Sequence, residues 1–397
     1  MASYPDLFSL FDEDPSDETL DDVRVAEQDV AETVLYNTDW TIETLLGQIS
    51  KRNIDLTPSF QRRDAWTIKR KSQFIESMIL NFPVPALTLA EIGRSKTYIV
   101  VDGKQRITSL AQFFGEMGQS AANGFKLAGL EQLRELNGCD WSNLQRLHPR
   151  HATALENYSI RTNVIRGWKA DDVLYSIFLR LNSGSVKLSA QELRQALSPG
   201  PFSNFIMEYA EVSPGLRAVF PGPEPDFRMR DIELMLRYLG YRFFLEDYRG
   251  QLKQFLDMVA KTFNEDWATW EPRVRDAVDV FEAAYDANDL VFQGQRFNKW
   301  SDGRWENRLN RAVFDVQMYY LNTVADIPAY VKQGPNIVQA FQVLCEQDPL
   351  FRSSLETTTK SVDAVAYRLK MFGGILVALG LISKTVDVDA NGALVNA

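Results

Sequence analysis

Histidine and cysteine are scarce in this sequence, and their scarcity argues against several classes of catalytic site. The 397 residues include two histidines, His148 and His151, and two cysteines, Cys139 and Cys345. A Ser-His-Asp hydrolase and an HNH-type nuclease each need a catalytic histidine, and no histidine occurs after residue 151. Two cysteines give no disulfide framework, which is typical of a reducing cytoplasm, where we expect the protein to act.

Familiar nucleotide and nucleophile motifs are also missing. The sequence contains no G-x-x-x-x-G-K-[ST] phosphate loop, no G-x-G-x-x-G dinucleotide fingerprint and no G-x-S-x-G nucleophile elbow. Any nucleotide chemistry therefore needs a different phosphate cradle. No apolar run is long enough to span a bilayer, and the acidic N-terminus does not resemble a secretory signal, so we expect no membrane partner.

The net charge of −10 is concentrated at the N-terminus. Residues 1–29 contain ten acidic residues and one basic residue, Arg24, and so carry −9 of that charge. We expect this segment to be a disordered acidic tail, because it has few aromatic residues after Phe11. The rest of the chain is nearly neutral, which indicates no strong bias toward nucleic acid as a partner.

The hydrophobic pattern changes near Ser198, and the change predicts two folded domains. Residues 30–198 alternate short apolar strands with amphipathic helices, whereas residues 199–397 show long helical periodicities and few strand signals. The Pro199-Gly200-Pro201 segment is a boundary signal. We therefore expect an α+β protein, in which a mixed α/β N-terminal domain is followed by a mainly α-helical C-terminal domain. Within the first domain, residues 115–150 have an irregular pattern.

One stretch of the first domain combines a strand, a tight turn and a helix. Residues 98–101 are an apolar, β-branched run, and residues 107–114 carry apolar side chains at helical spacing. Five residues lie between the strand and the first apolar helical position: Asp102, Gly103, Lys104, Gln105 and Arg106. We expect this strand–turn–helix, here called the DGKQR turn, to be central to the first domain.

The chemistry of the DGKQR turn suits an anion. Backbone N–H groups and the positive end of the helix dipole gather at a helix N-terminus. Gly103 permits a close backbone approach, Lys104 adds positive charge, and Arg106 can donate two parallel hydrogen bonds to a phosphate. Asp102 can hold a metal ion or cap the helix.

A second polar cluster follows another candidate strand. Gln61 and Arg62 lie in the segment from Pro58 to Trp66, after the apolar residues near Ile54. Two strand ends that each carry a Gln-Arg pair indicate two loops that converge on one anionic ligand.

Five further polar residues lie within predicted helices or at their ends. Arg180 and Asn182 lie at a helix end, where they can cap the C-terminus or face the ligand. Glu76 can orient an arginine, bind a metal ion or form a solvated salt bridge. Ser189 and Glu192 have the spacing of a capping box at the start of the next helix.

These segments resemble the DGQQR-motif domain at the N-terminus of GmrSD-type restriction endonucleases, within the ParB/sulfiredoxin-like superfamily. Four segments occur in the family's order across about residues 35–195: Gln61-Arg62 with Trp66, the helix and double-proline segment that ends at Pro85, Asp102 to Arg106, and Arg180 to Gly184. One position departs from the motif, because the third residue of the DGKQR turn is Lys104 rather than glutamine.

The resemblance implies a nucleotide-binding protein that hydrolyses a nucleoside triphosphate in a prokaryotic anti-phage or restriction-type defence system. Mg2+ with a nucleoside triphosphate would be the cofactor, and Asp102 would hold the metal. In this interpretation Lys104 and Arg106 neutralise phosphates, Gln105 or Gln61 orients water, and Arg62 clamps the ligand. The expected catalytic residues are Asp102, Gln105 and Arg106, and the expected nucleotide-binding residues are Gln61, Arg62, Gly103, Lys104, Arg180 and Asn182.

Larger relatives of this type carry an HNH nuclease behind the motif domain, and we expect this chain to lack one because residues 200–397 contain no histidine. Two alternatives remain open. A metal-dependent DNA nuclease that uses the DGKQR cleft predicts DNA cleavage by the isolated chain. A non-enzymatic, nucleotide-gated sensor that binds DNA or a partner predicts binding without turnover. DNA, a separate effector or nuclease subunit and a second copy of the chain are the candidate partners besides the nucleotide.

The acidic tail generates a testable prediction. A phosphate site must be locally basic, so we expect residues 1–29 to cover a basic surface of this body or of a second copy, anchored by Leu7, Phe8, Leu10 and Phe11. A chain that begins at Val30 should then bind DNA more tightly, with a steeper dependence on salt. Binding of labelled duplex DNA across a salt titration measures this, and equal affinities for the two chains would leave the tail as a linker or docking peptide.

Overall fold

The structure, a computed structural model, describes residues 30–54, 66–93, 96–115, 124–181, 189–222, 225–226, 228–356 and 360–396. The acidic tail, the Gln61-Arg62 pair and Asn182 therefore lie outside the described residues. Two compact units are present. The N-terminal unit takes in residues 23–197 and 226–228, and the C-terminal unit takes in residues 198–225 and 229–397.

A mixed four-stranded sheet organises the N-terminal unit, with the strand order β1-β4-β2-β3. β1 and β4 are antiparallel, β4 and β2 are parallel, and β2 and β3 are antiparallel. The strands are β1 (Val34–Thr41), β2 (Leu87–Glu91), β3 (Tyr98–Asp102) and β4 (Ser159–Arg166).

Helices cover both faces of this sheet, because alternate residues of each strand point to opposite faces. One face of the sheet carries Leu87, Leu89 and Val164, which pack in a core cluster with residues of the first five helices of this unit. The other face carries Ala90 and Ile165, which pack in a second cluster with residues of the last two helices. The helices are α1 (Ile42–Ser50), α2 (Ile68–Ile79), α3 (Lys104–Phe114), α4 (Trp141–Leu147), α5 (Pro149–Asn157), α6 (Asp171–Leu181) and α7 (Ala190–Leu197).

Two expectations for this unit are wrong. We expected β3 to be central, but it is the last strand in the sheet order. Ile54 forms a single parallel bridge to Tyr98 of β3. The irregular segment 115–150 includes α4 and the start of α5. Asp140 caps α4 by accepting the Asn143 N–H at 2.8 Å, and Pro149 opens α5. Helices of seven and nine residues are too short to produce a clear period in the sequence.

The C-terminal unit is mostly helical, as predicted, and the α+β class of the chain is confirmed. Its helices are α8 (Pro201–Val212), α9 (Pro214–Val219), α10 (Arg230–Phe244), α11 (Leu252–Glu265), α12 (Trp267–Phe292), α13 (Arg311–Leu321), α14 (Ile327–Lys332), α15 (Gly334–Gln347), α16 (Pro349–Glu356) and α17 (Val362–Ala378). Arg237 of α10 is buried and donates from Nε to Asp315 of α13 at 2.9 Å, so charged side chains as well as apolar ones join these helices.

Two antiparallel hairpins of the C-terminal unit were not expected. They are β5 (Asn298–Ser301) with β6 (Arg304–Leu309), and β7 (Val386–Val388) with β8 (Leu394–Asn396). Asp302 and Gly303 join the first hairpin, and both have positive φ angles, 53° and 74°. An Asp-Gly pair is a strong hairpin signal, and here a tryptophan lies two residues from it on each side, so this hairpin was readable from the sequence.

No described helix of either unit is both long enough and apolar enough to cross a membrane. Both cysteines are buried free thiols, and burial raises the pKa of the Cys345 thiol to about 12. A thiol with so high a pKa is almost entirely protonated near neutral pH and therefore unreactive.

Candidate functional site

The DGKQR turn is present, and Gly103 forms its corner. β3 ends at Asp102, α3 begins at Lys104, and Gly103 between them has a φ angle of 99°. A Cβ atom on Gly103 would lie 2.4 Å from Cδ2 of Leu87. Glycine is therefore required here for two reasons, because the backbone is left-handed and because Leu87 of β2 packs against it.

Gly103 occupies the N-cap position of α3 and, because it has no side chain, does not cap the helix. The first backbone hydrogen bond of the helix runs from the Ile107 N–H to the Gly103 carbonyl at 3.0 Å. The N–H groups of the preceding turn therefore point along the helix axis toward its N-terminal end, where the dipole is positive. Such an end attracts an anion, which supports the sequence interpretation of this corner.

The buried guanidinium of Arg106 stabilises the corner through hydrogen bonds. Its Nη1 donates to the carbonyl oxygens of Pro85 at 2.6 Å and Ala86 at 2.8 Å, and its Nη2 donates to Oδ2 of Asp102 at 2.9 Å. The side chain is only 10% exposed. Two of these hydrogen bonds tie the end of the double-proline segment to the DGKQR turn, and the third lies within the turn. The sequence interpretation gave this guanidinium to a phosphate.

Lys104 forms a buried ion pair with Glu192 of α7. Its Nζ lies 2.8 Å from Oε1 of Glu192, and the two side chains are 3% and 5% exposed. The other oxygen, Oε2, accepts the Ser189 N–H at 2.8 Å, while the Ser189 Oγ accepts the Glu192 N–H at 3.0 Å. The predicted capping box is therefore present, and its carboxylate also neutralises Lys104. Sequence reasoning missed this pairing, because its partners are 88 residues apart.

Asp102 supplies the carboxylate of the turn, and this carboxylate is accessible. Its side chain is 42% exposed, and Arg106 binds one of its oxygens. Magnesium in nucleotide sites is commonly held by one or two carboxylates, with substrate phosphates and water as the remaining ligands. Asp102 fits the role of one such carboxylate. Among the residues that the structure describes, no group of three or more acidic, histidine or cysteine side chains could hold a metal ion unaided.

A cavity of about 510 Å³ lies between the sheet and α6. Arg180, a predicted ligand residue, contributes to its wall together with four polar residues that the sequence interpretation missed, Thr33, Thr88, Asn163 and Ser176. The remaining lining residues are aliphatic: Val30, Leu35, Ile165, Val173 and Ile177. Because Thr88 pairs with Asp102 in the β2–β3 ladder, the cavity lies next to the DGKQR turn.

Glu76 has a structural role that differs from all three sequence interpretations. Its carboxylate is buried and accepts the backbone N–H groups of Glu131 at 3.3 Å, Gln132 at 2.8 Å and Leu133 at 2.7 Å. These hydrogen bonds stabilise the loop before the short turn Arg134–Leu136.

The comparisons with known proteins identify the domain that contains this site. Residues 42–198 match the family model described as GmrSD restriction endonuclease, N-terminal domain. The match includes the DGKQR turn, α6 and α7, and it confirms the resemblance that the motif segments indicated. No curated protein and no solved structure gives a significant match to the chain.

The Lys104–Glu192 ion pair generates a stability prediction. We expect Lys104→Met to lower the free energy of unfolding by about 3–5 kcal/mol, because it leaves the buried Glu192 charge without its countercharge. Lys104→Met combined with Glu192→Gln should recover most of that loss, since glutamine keeps the capping box and no buried charge remains. Denaturant unfolding of the full chain measures both effects.

A matched control for this prediction is Lys169→Met. Lys169 and Glu32 are 58% and 60% exposed, and their atoms Nζ and Oε1 lie 2.6 Å apart. Breaking this exposed pair should cost about 1 kcal/mol or less. Equal losses for Lys104→Met and Lys169→Met, or additive losses in the double variant, would contradict the role given to the buried pair.

The corner at Gly103 generates a second stability prediction. Gly103→Ala combines a left-handed backbone with a clash against Leu87, and we expect a loss of roughly 2–5 kcal/mol. Gly115→Ala is the control, because Gly115 ends the same helix with a φ angle of 77° and has nothing within 4 Å of its Cβ position. It should lose only about 1–2 kcal/mol. Thermal unfolding compares the two variants, and equal losses would contradict the close packing at the corner.

Proposed function

We propose, from the GmrSD-type domain at residues 42–198, that this chain is a restriction- or defence-type protein that binds a nucleoside triphosphate with Mg2+ at the DGKQR turn and hydrolyses it. The observation that carries the proposal is the corner at Gly103, where a strand leads through a left-handed glycine into a helix without a side-chain cap. Backbone N–H groups at such a corner bind phosphate oxygens without any cationic side chain.

Each polar residue of the turn has a separate role in this proposal. Asp102 holds the metal ion, which supplies neutralisation of the phosphate charge, and Arg106 keeps the Asp102 carboxylate in place through their 2.9 Å hydrogen bond. Gln105, on the first turn of α3, orients the attacking water. Gln61, Arg62 and Asn182 remain proposed ligand residues. Phosphoryl transfer needs positioning and charge neutralisation more than a reactive side chain, so this set suffices without histidine.

A second candidate function is a nucleotide-gated sensor that binds without turnover. The observation that favours it is the engagement of Lys104 and Arg106, whose positive groups already contact Glu192, Asp102 and backbone carbonyls. In either case we propose that DNA cleavage belongs to a separate effector or nuclease subunit.

The test titrates the full chain with ATP, GTP, CTP and UTP, with and without Mg2+, and measures binding by calorimetry and phosphate release in parallel. Asp102→Asn keeps an oxygen for Arg106 but removes the charge that would hold the metal. We expect it to weaken Mg2+-dependent binding about tenfold. Asp39→Asn is the matched control, because Asp39 is an exposed residue of β1 that pairs only with Arg161 among the described residues. It should bind like the wild type.

The outcomes separate the candidates. Binding with phosphate release that Gln105→Ala slows would support hydrolysis at the turn, whereas binding without release would support the sensor. Failure of the wild-type chain to bind any of the four nucleotides would contradict both. Nicking of plasmid DNA by the isolated chain, dependent on Asp102 and Mg2+, would instead support the nuclease alternative.

A further inference from the structure

We propose that the cavity between the sheet and α6 receives the base and ribose of the nucleotide, an inference that rests on the proposed function. In the proposed function the DGKQR turn binds the phosphates, and the rest of the ligand has no assigned place.

Four polar side chains of the cavity have no protein partner among the residues that the structure describes. Thr88, Asn163, Ser176 and Arg180 line it, and none of these side chains forms a hydrogen bond or ion pair with any residue that the structure describes. Thr88 is only 3% exposed. A second hydroxyl, an amide and a guanidinium surround the same space, so the cavity offers hydrogen bonds to a polar ligand.

The walls of the cavity define the chemical class of that ligand. Ile165 of the sheet and Val173 and Ile177 of α6 provide aliphatic surfaces that suit an apolar ring. The Asn163 amide can both donate and accept, as reading the polar edge of a nucleobase requires. Arg180 is exposed and carries the positive charge that an attached anionic group needs. The volume of about 510 Å³ also lies within the range of small-molecule sites.

The position of the cavity connects this ligand to the DGKQR turn. Thr88 lines the cavity and is paired with Asp102 across the β2–β3 ladder, where the register shifts between Thr88 and Leu89. Neighbouring strands lie about 4.8 Å apart, so one molecule can contact both places. A base held against Asn163 therefore leaves the phosphates beside Asp102 and the N-terminus of α3.

The experiment blocks the cavity without altering the turn. Ser176→Phe projects a ring into the cavity from α6, and Ser142→Phe is its control, because Ser142 is exposed on α4. We expect Ser176→Phe to weaken binding of the preferred triphosphate at least about tenfold and to abolish binding of the corresponding nucleoside, which does not depend on Mg2+. Ser142→Phe should leave both affinities unchanged. Calorimetric titration of the full chain with each nucleoside and triphosphate measures them.

Two milder variants keep the test decisive if Ser176→Phe fails to fold. Thr88→Val removes a hydroxyl at nearly constant volume and should weaken binding of both nucleoside and triphosphate. Arg180→Ala should weaken triphosphate binding about tenfold and spare the nucleoside, because the guanidinium contacts an anionic group. Arg150→Ala is the control for Arg180, since Arg150 is exposed on α5.

The results distinguish this inference from the function on which it rests. Wild-type nucleotide affinity in a folded Ser176→Phe chain, or in both milder variants, would overturn the cavity as the base site, while Asp102→Asn would still report on the turn. Nucleoside binding that Ser176→Phe abolishes in a chain that binds no triphosphate would uphold the cavity and contradict the proposed function. Failure of the wild-type chain to bind any nucleoside or nucleotide would overturn both.

Discussion

The candidate site depends on the close passage of the backbone at Gly103. There is no room for a Cβ atom between this residue and Leu87, and Arg106 holds the adjoining segments together from within. A strand and a helix can therefore meet with a single residue between them, and the uncapped end of α3 is fixed with respect to the sheet. Preorganised dipoles of this kind bind charge without reorganising, which is what a site for phosphates requires.

The positive side chains of the turn contribute to this arrangement by stabilising the protein. Lys104 and Arg106 read as phosphate ligands in the sequence, yet both contact protein acceptors in the folded unit. If a nucleotide binds at the turn, backbone N–H groups and a metal ion on Asp102 would carry more of the interaction than cationic side chains. The departure of Lys104 from the family motif then concerns the support of the site, because its charge is balanced by Glu192.

Much of the fold was predictable because long periodic segments carry their own signal. The strand–turn–helix around Gly103, the capping box at Ser189 and the helical character of the second half all follow from spacing and residue type. The short helices α4 and α5 were missed because they span too few turns, and β3 lies at the end of the sheet order because strand order depends on distant pairings.

Side-chain partners were the hardest part of the site to predict. Spacing could place Arg180 at a helix end, but it could not bring Thr88 and Asn163 to the same cavity, since those residues come from different strands. Nor could it pair Lys104 with a carboxylate 88 residues away. Gln61, Arg62 and Asn182 lie outside the described residues, so their assignments stay predictions.

The double use of Glu192 has an evolutionary consequence. One of its oxygens serves the start of α7 and the other serves Lys104, so neither an aspartate, which is shorter, nor a glutamine, which is neutral, satisfies both. Lineages that carry lysine at position 104 should therefore retain glutamate at position 192, and a change at one position should open the other to substitution. In an alignment of homologues the two positions would vary together, although they are far apart in sequence.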